Sequence, residues 1–142
     1  MEDKYNLSRL IKAQEKSYEI ALNEIKNKKK ESHWMWYIFP QLDGLGKTDM
    51  AKEYAIKSKN EAIEYLNHEL LGPRLIQISK ELLKINDLTA EQILGFPDVL
   101  KLKSSMSLFS LIQKDETIFE QVLNKYYNGE VCLKTEEFIK SF

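Results

Sequence analysis

The sequence predicts an all-α domain of about six to eight helices with no substantial sheet. Three observations carry that expectation. Apolar residues recur at three- and four-residue spacing through most of the chain, Ser, Thr and Asp capping signals precede those runs, and no segment keeps the strict apolar–polar alternation of strands. With 142 residues the chain is the length of one domain, 1–142, large enough to bury a core of its own.

Composition narrows the class further. A 43% hydrophobic and 30% charged chain has the apolar content that disordered sequences lack. Its 21 Lys and Arg against 22 Asp and Glu leave a formal net charge of -1, so no overall field draws it to nucleic acid or an anionic membrane. The longest apolar run, Trp34 to Pro40, is far short of the roughly 20 residues that span a bilayer, and the Met1 to Asn6 stretch has no apolar signal core. Cys132 is the only cysteine, which excludes an internal disulfide framework and a cysteine-rich zinc site and fits a reducing cytoplasm. Two histidines and no dense carboxylate cluster argue against a metal centre.

The first helix is expected over Leu7 to Ile25, where Leu7, Leu10, Ile11, Tyr18, Ala21, Leu22 and Ile25 share one face and Asn6 or Ser8 provides the cap. Gln14 interrupts that face and needs a hydrogen-bond partner if it is buried. Lys26, Lys28, Lys29 and Lys30 crowd the helix end, where cations complement the dipole and face solvent. Then comes Ser32-His33-Trp34-Met35-Trp36-Tyr37-Ile38-Phe39-Pro40-Gln41-Leu42, which holds both tryptophans. Neither helix nor strand gives this stretch a polar side, so it is buried on both faces. A short helix capped by Ser32 and stopped before Pro40 is favoured over an extended segment.

Asp43 to Lys47 is a glycine loop; Lys47-Thr48 echoes a phosphate-binding box but lacks its glycine spacing and preceding strand. Asp49 to Ile56 and Ser58 to Leu66 read as two short helices or one bent one, the second opened by a Ser58/Glu61 capping box. Pro73 sits in the first turn of the helix continued by Leu75, Ile78, Leu82 and Ile85. Thr89 and Gln92 form a capping box for a piece ended by Gly95. Asp98 is the expected cap of a helix reaching Ile112, in which the pair Ser104-Ser105 lies oddly beside an apolar stripe. Asp115 caps a helix from Glu116 to Tyr127, stopped by Gly129, and Thr135 to Phe142 forms a last turn or two.

The strings SHWMWYIFPQL and LKLKSSMSLF, with Gly44, Gly46, Tyr54-Ala55-Ile56 and Leu71-Gly72-Pro73-Arg74-Leu75, resemble the family catalogued as domain of unknown function 1810 over nearly the whole chain. The resemblance implies a compact all-helical domain and supplies no reaction. The family's pattern falls on Gln14, His33, Trp34, Trp36, Pro40, Gln41, Gly44, Gly46, Arg74, Asp98, Lys101, Ser104, Ser105 and Met106. Asn128-Gly129-Glu130 departs from the paired glycine typical of the family at that place.

His33 is the candidate catalytic residue, a general base if Asp98 or Ser104 comes within hydrogen-bond reach, and otherwise a histidine joined to the aromatic cluster. The candidate ligand-binding residues are His33, Trp34, Trp36, Gln41, Arg74, Lys101, Ser104 and Ser105, with no metal ligand among them. Tryptophans serve equally as core or as a platform for a flat ring or cation. Gln41 can recognise an amide or a base edge, and Arg74 in a first turn can hold a phosphate or carboxylate. Lys101, Ser104 and Ser105, three and four residues apart, can face one anion. Cys132 is expected to be a surface thiol. The set suits a cytoplasmic protein that binds a nucleotide-like or phosphorylated ligand, or an enzyme of unrecognised class. The alternative is a protein-interaction domain with the Trp-rich segment as its hot spot.

Overall fold

The computed structural model describes residues 3–141. Phe142, the end of the expected C-terminal turns, lies outside the described residues, as do Met1 and Glu2 of the N-terminal stretch. The order is α1 (Ser8–Lys26), α2 (Met35–Ile38), α3 (Asp49–Tyr54), α4 (Lys59–Asn67), α5 (Leu71–Leu83), α6 (Ala90–Leu94), α7 (Asp98–Ile112), α8 (Ile118–Tyr127) and α9 (Leu133–Lys140). These are nine helices among the described residues. The excess over six to eight arises because residues 49–67 divide in two and the last turns complete an eight-residue helix. A lone parallel bridge between Leu42 and Ile56 is the only β pairing among the described residues.

α7 is the central element, packed by α4, α6, α8 and α9, while α1 lies on α5 and α2 bridges α1 and α3. Residues 104–109 of α7 are all buried, the mark of a helix enclosed on every side. That enclosure explains its serines. Small side chains let neighbouring helices approach, and Ser104 and Ser107 return their hydroxyls to the carbonyls of Leu100 (3.2 Å) and Lys103 (2.7 Å). The apolar core is one cluster running from Leu7 to Ile139, with the Tyr65, Phe109 and Phe119 rings in series at 5.4 and 5.7 Å.

The helix starts are capped partly as expected and partly from a distance. Thr89 and Gln92 form the complete reciprocal box. Ser58 accepts the Glu61 amide N–H at 3.1 Å, but the Glu61 carboxylate does not return to Ser58. It accepts the Lys57 N–H at 3.0 Å and pairs with Arg9 at 2.8 Å, and Arg9 also donates to the carbonyls of Tyr5, Asn6, Glu53 and Ala55. One guanidinium thereby ties the N-terminal turn to the α3–α4 connection. At α1 neither Asn6 nor Ser8 is the cap; Asp3 accepts the N–H groups of Leu7 and Ser8 at 2.7 and 3.0 Å. Asp115 does not cap α8, whose Ile118 N–H goes to Glu116 at 3.2 Å.

Candidate functional site

The aromatic segment folds as a single turn, Met35–Ile38, entered from Trp34 and ended before Pro40. Ser32 does not cap it. Its hydroxyl donates to Glu24 Oε2 at 2.6 Å, while the N–H groups of Glu31 (2.8 Å), Ser32 (2.9 Å) and the Trp34 indole (2.9 Å) converge on Glu24 Oε1. Burial raises the carboxyl's pKa, but these four donors outweigh it and hold Glu24 down at about 2. From the far side, buried Gln14 donates to the Tyr37 carbonyl at 2.7 Å and to the Tyr65 hydroxyl at 2.9 Å. The amide that interrupts the face of α1 is therefore the clamp on the end of α2.

The two tryptophans differ. Trp34 is 1% exposed, packed on Phe39 at 6.2 Å, whereas Trp36 is half-buried. Each ring carries an ammonium: Lys30 lies 5.1 Å from the Trp34 ring centre and Lys101 5.3 Å from that of Trp36. Asp98 joins them, with Oδ2 at 2.9 Å from Lys30 and Oδ1 at 3.5 Å from Lys101. The Lys30 side chain is only 8% exposed, so this member of the basic run turns inward and does not face solvent as expected. Asp98 is the first residue of α7 and not its cap; its carboxylate serves the two lysines.

Of the expected site residues, this arrangement brings together Trp34, Trp36 and Lys101. His33 is exposed, and its imidazole makes no hydrogen bond among the described residues. Neither group considered as its proton partner meets it, since Asp98 is held by lysines and Ser104 by the Leu100 carbonyl. The Gln41 carbonyl accepts the Ile56 N–H at 2.9 Å, and its side chain packs on the glycine loop, with the amide nitrogen 3.4 Å from where a Cβ on Gly46 would stand. Arg74 has no carboxylate partner among the described residues; it lies over the Tyr18 ring at 5.1 Å and reaches Gln14 Oε1 at 3.4 Å. Ser105 is fully buried, its hydroxyl without a partner among the described residues. Ser104 faces a different place, a groove of about 650 Å³ between α7 and α9 whose wall also includes Cys132.

Lys30, Glu24 and Asp98 complete the aromatic site. The basic run marks Lys30, and a cap signal and the family pattern mark Asp98, but the sequence does not show their pairing, because the partners are remote along the chain. No group of three or more His, Cys, Asp or Glu side chains placed to hold a metal occurs among the described residues, and no described helix is long and apolar enough to cross a membrane.

The fold is shared with a solved protein. The crystal structure of the conserved hypothetical protein Rv1873 from Mycobacterium tuberculosis superposes with a TM-score of 0.95 at 39% identity, over 97% of this chain and 99% of that one. No curated protein matches the sequence. The sequence pattern of the family described as protein of unknown function (DUF1810) matches residues 4–139, and the chain belongs to that family.

Proposed function

We propose that this is a cytoplasmic small-molecule binding protein, or an enzyme of unrecognised class, whose ligand joins a flat ring to a phosphate or carboxylate and rests on Trp36 beside Lys101. The observation that carries the reading is the looseness of Lys101. Buried Lys30 takes the Asp98 carboxylate at 2.9 Å, leaving Lys101, with 22% of its side chain exposed, a 3.5 Å contact beside a half-buried indole. A planar ring can exchange with the ammonium on the Trp36 face while the ammonium moves to the ligand's anion, so each partner gains a contact. Glu24 does not compete for that cation, because its oxygens are taken by four donors. The lone cysteine supports the compartment.

The competing reading, a protein-interaction domain built on the Trp-rich segment, has less support. Trp34 is buried, and the large apolar side chains most open to solvent, Phe96 and Leu133, lie in other segments.

Calorimetric titration with a nucleoside monophosphate tests the proposal, alongside the same nucleoside without its phosphate. The monophosphate is expected to bind, the nucleoside to bind about tenfold more weakly, and Lys101→Ala to lose the difference with an unchanged circular dichroism spectrum. Absence of heat at millimolar ligand, or equal affinity in Lys101→Ala, overturns it.

A further inference from the structure

A cavity of about 520 Å³ opens between the N-terminal turn and the end of α4, and it shares no lining residue with the aromatic site. Small-molecule sites are commonly of about 300–1,000 Å³, mostly apolar and served by a few convergent polar groups. On the side of α1, Tyr5, Leu7 and Ile11 supply apolar surface. On the side of α4, Glu64 and the C-terminal residue His68 both line the cavity, and their four-residue spacing puts them on one face of the helix end.

His68 is half-buried, and the turn into α5 fixes which of its nitrogens carries the proton. Nδ1 accepts the N–H groups of Leu70 and Leu71 at 3.1 and 3.3 Å, so it has no hydrogen of its own and the ring N–H is on Nε2. That N–H has no acceptor among the described residues. With Nδ1 committed to backbone, Nε2 is the polar atom that the imidazole has left for the cavity.

Two charges at the cavity are also uncommitted. Glu64 makes no hydrogen bond or ion pair among the described residues. Lys4 has no carboxylate partner among them, and its ammonium lies 5.6 Å from the Tyr5 ring centre. The neighbouring polar groups are engaged: Asp3 accepts the N–H groups of Leu7 and Ser8, and the Ser8 hydroxyl donates to Asn6 Oδ1 at 2.9 Å. The cavity therefore offers two donors for an anion, one carboxylate for a cation, and an apolar wall.

We propose that this cavity binds a free apolar α-amino acid, whose carboxylate is taken by His68 Nε2–H and Lys4, whose ammonium is taken by Glu64, and whose side chain lies on Leu7 and Ile11. A simple carboxylate would come up against the Glu64 charge, and a simple amine would leave both donors without an acceptor. A zwitterion meets all three groups and adds no net charge. Lys4 and Glu64 are exposed and screened by water, so the half-buried His68 donor sets where the carboxylate rests.

Calorimetric titration of the full chain with L-leucine tests the proposal, against two analogues of similar aliphatic body: 4-methylpentanoate, which lacks the amine, and isoamylamine, which lacks the carboxylate. Leucine is expected to bind, and each analogue to bind at least about tenfold more weakly. Lys4→Gln and Glu64→Gln are each expected to weaken leucine binding several-fold. His68→Asn separates the two duties of the ring, because Asn Oδ1 can accept the Leu70 and Leu71 N–H groups while its amide nitrogen stops short of the Nε2 position. The thermal midpoint is expected to hold and the leucine affinity to fall about tenfold. Absence of heat from L-leucine and L-phenylalanine at millimolar concentration overturns the proposal. So does an analogue that binds as tightly as leucine, or a leucine affinity unchanged in both Lys4→Gln and Glu64→Gln, which decide the matter even if His68→Asn does not fold.

Discussion

Glu24 Oε1 accepts the indole N–H of Trp34 at 2.9 Å, so a carboxylate near the end of α1 positions the first ring of the aromatic segment. The same carboxylate gathers the backbone of Glu31 and Ser32, closing the connection from α1 to α2. Its folded pKa of about 2 lies below the ordinary 4.5, so the ionised form is the one the fold stabilises. That contribution is complete above the unfolded value and is lost as pH falls from about 4.5 towards about 2. Glu24→Gln is expected to lower stability by about 1–2 kcal/mol near neutral pH, after allowance for solvent screening. The gap between variant and wild type should close across that acid range. Denaturant unfolding at a series of pH values measures it, and a gap that stays constant would show that the charge plays no part.

The contrast between Thr89 and Asp98 explains what was legible in the sequence. Both mark helix starts in the sequence, and helices begin at or beside each. The Thr89–Gln92 box is complete within four residues, so sequence spacing contains all its partners. Asp98 also marks the right place, but its role depends on Lys30, 68 positions away (98 − 30), which spacing cannot reveal. Gln14 stood out as a polar interruption on an apolar face; its need for a partner was readable and the partners' identities were not.

Gly72 is a case in which absence of a side chain decides packing. A Cβ at this position would stand 2.1 Å from the Leu66 carbonyl oxygen, a backbone atom that cannot rotate away. Helices α4 and α5 meet here through a turn in which His68 Nδ1 accepts the N–H groups of Leu70 and Leu71 at 3.1 and 3.3 Å. Gly72→Ala would gain helix propensity of about 1 kcal/mol, but overpacking against backbone costs about 1–3 kcal/mol or more and should win. A fall in thermal midpoint of several degrees is expected. An unchanged or raised midpoint would mean that the α4–α5 turn shifts freely.

Gln14 offers the sharpest test of how the aromatic segment is held. It is 1% exposed, and its amide supplies the donor for the Tyr37 carbonyl, one of those left without an intrahelical partner at the end of α2, and for the Tyr65 hydroxyl. Gln14→Leu keeps the volume and removes both donors, leaving two buried acceptors unsatisfied. The expected loss is about 1–3 kcal/mol, read as a lower urea midpoint with an unchanged slope. Tyr65→Phe removes one of those acceptors. In the double variant the hydroxyl is no longer orphaned, so the combined loss should fall short of the sum of the single losses by about 0.5–1.5 kcal/mol. Additive losses would mean that the Gln14–Tyr65 contact contributes nothing and that Gln14 acts through the Tyr37 carbonyl alone. In either outcome, loosening α2 frees Trp36 from its place beside Lys101. Gln14→Leu should therefore weaken nucleoside monophosphate binding although Gln14 never faces the ligand, and an undiminished affinity in a destabilised Gln14→Leu protein would separate the clamp from the site.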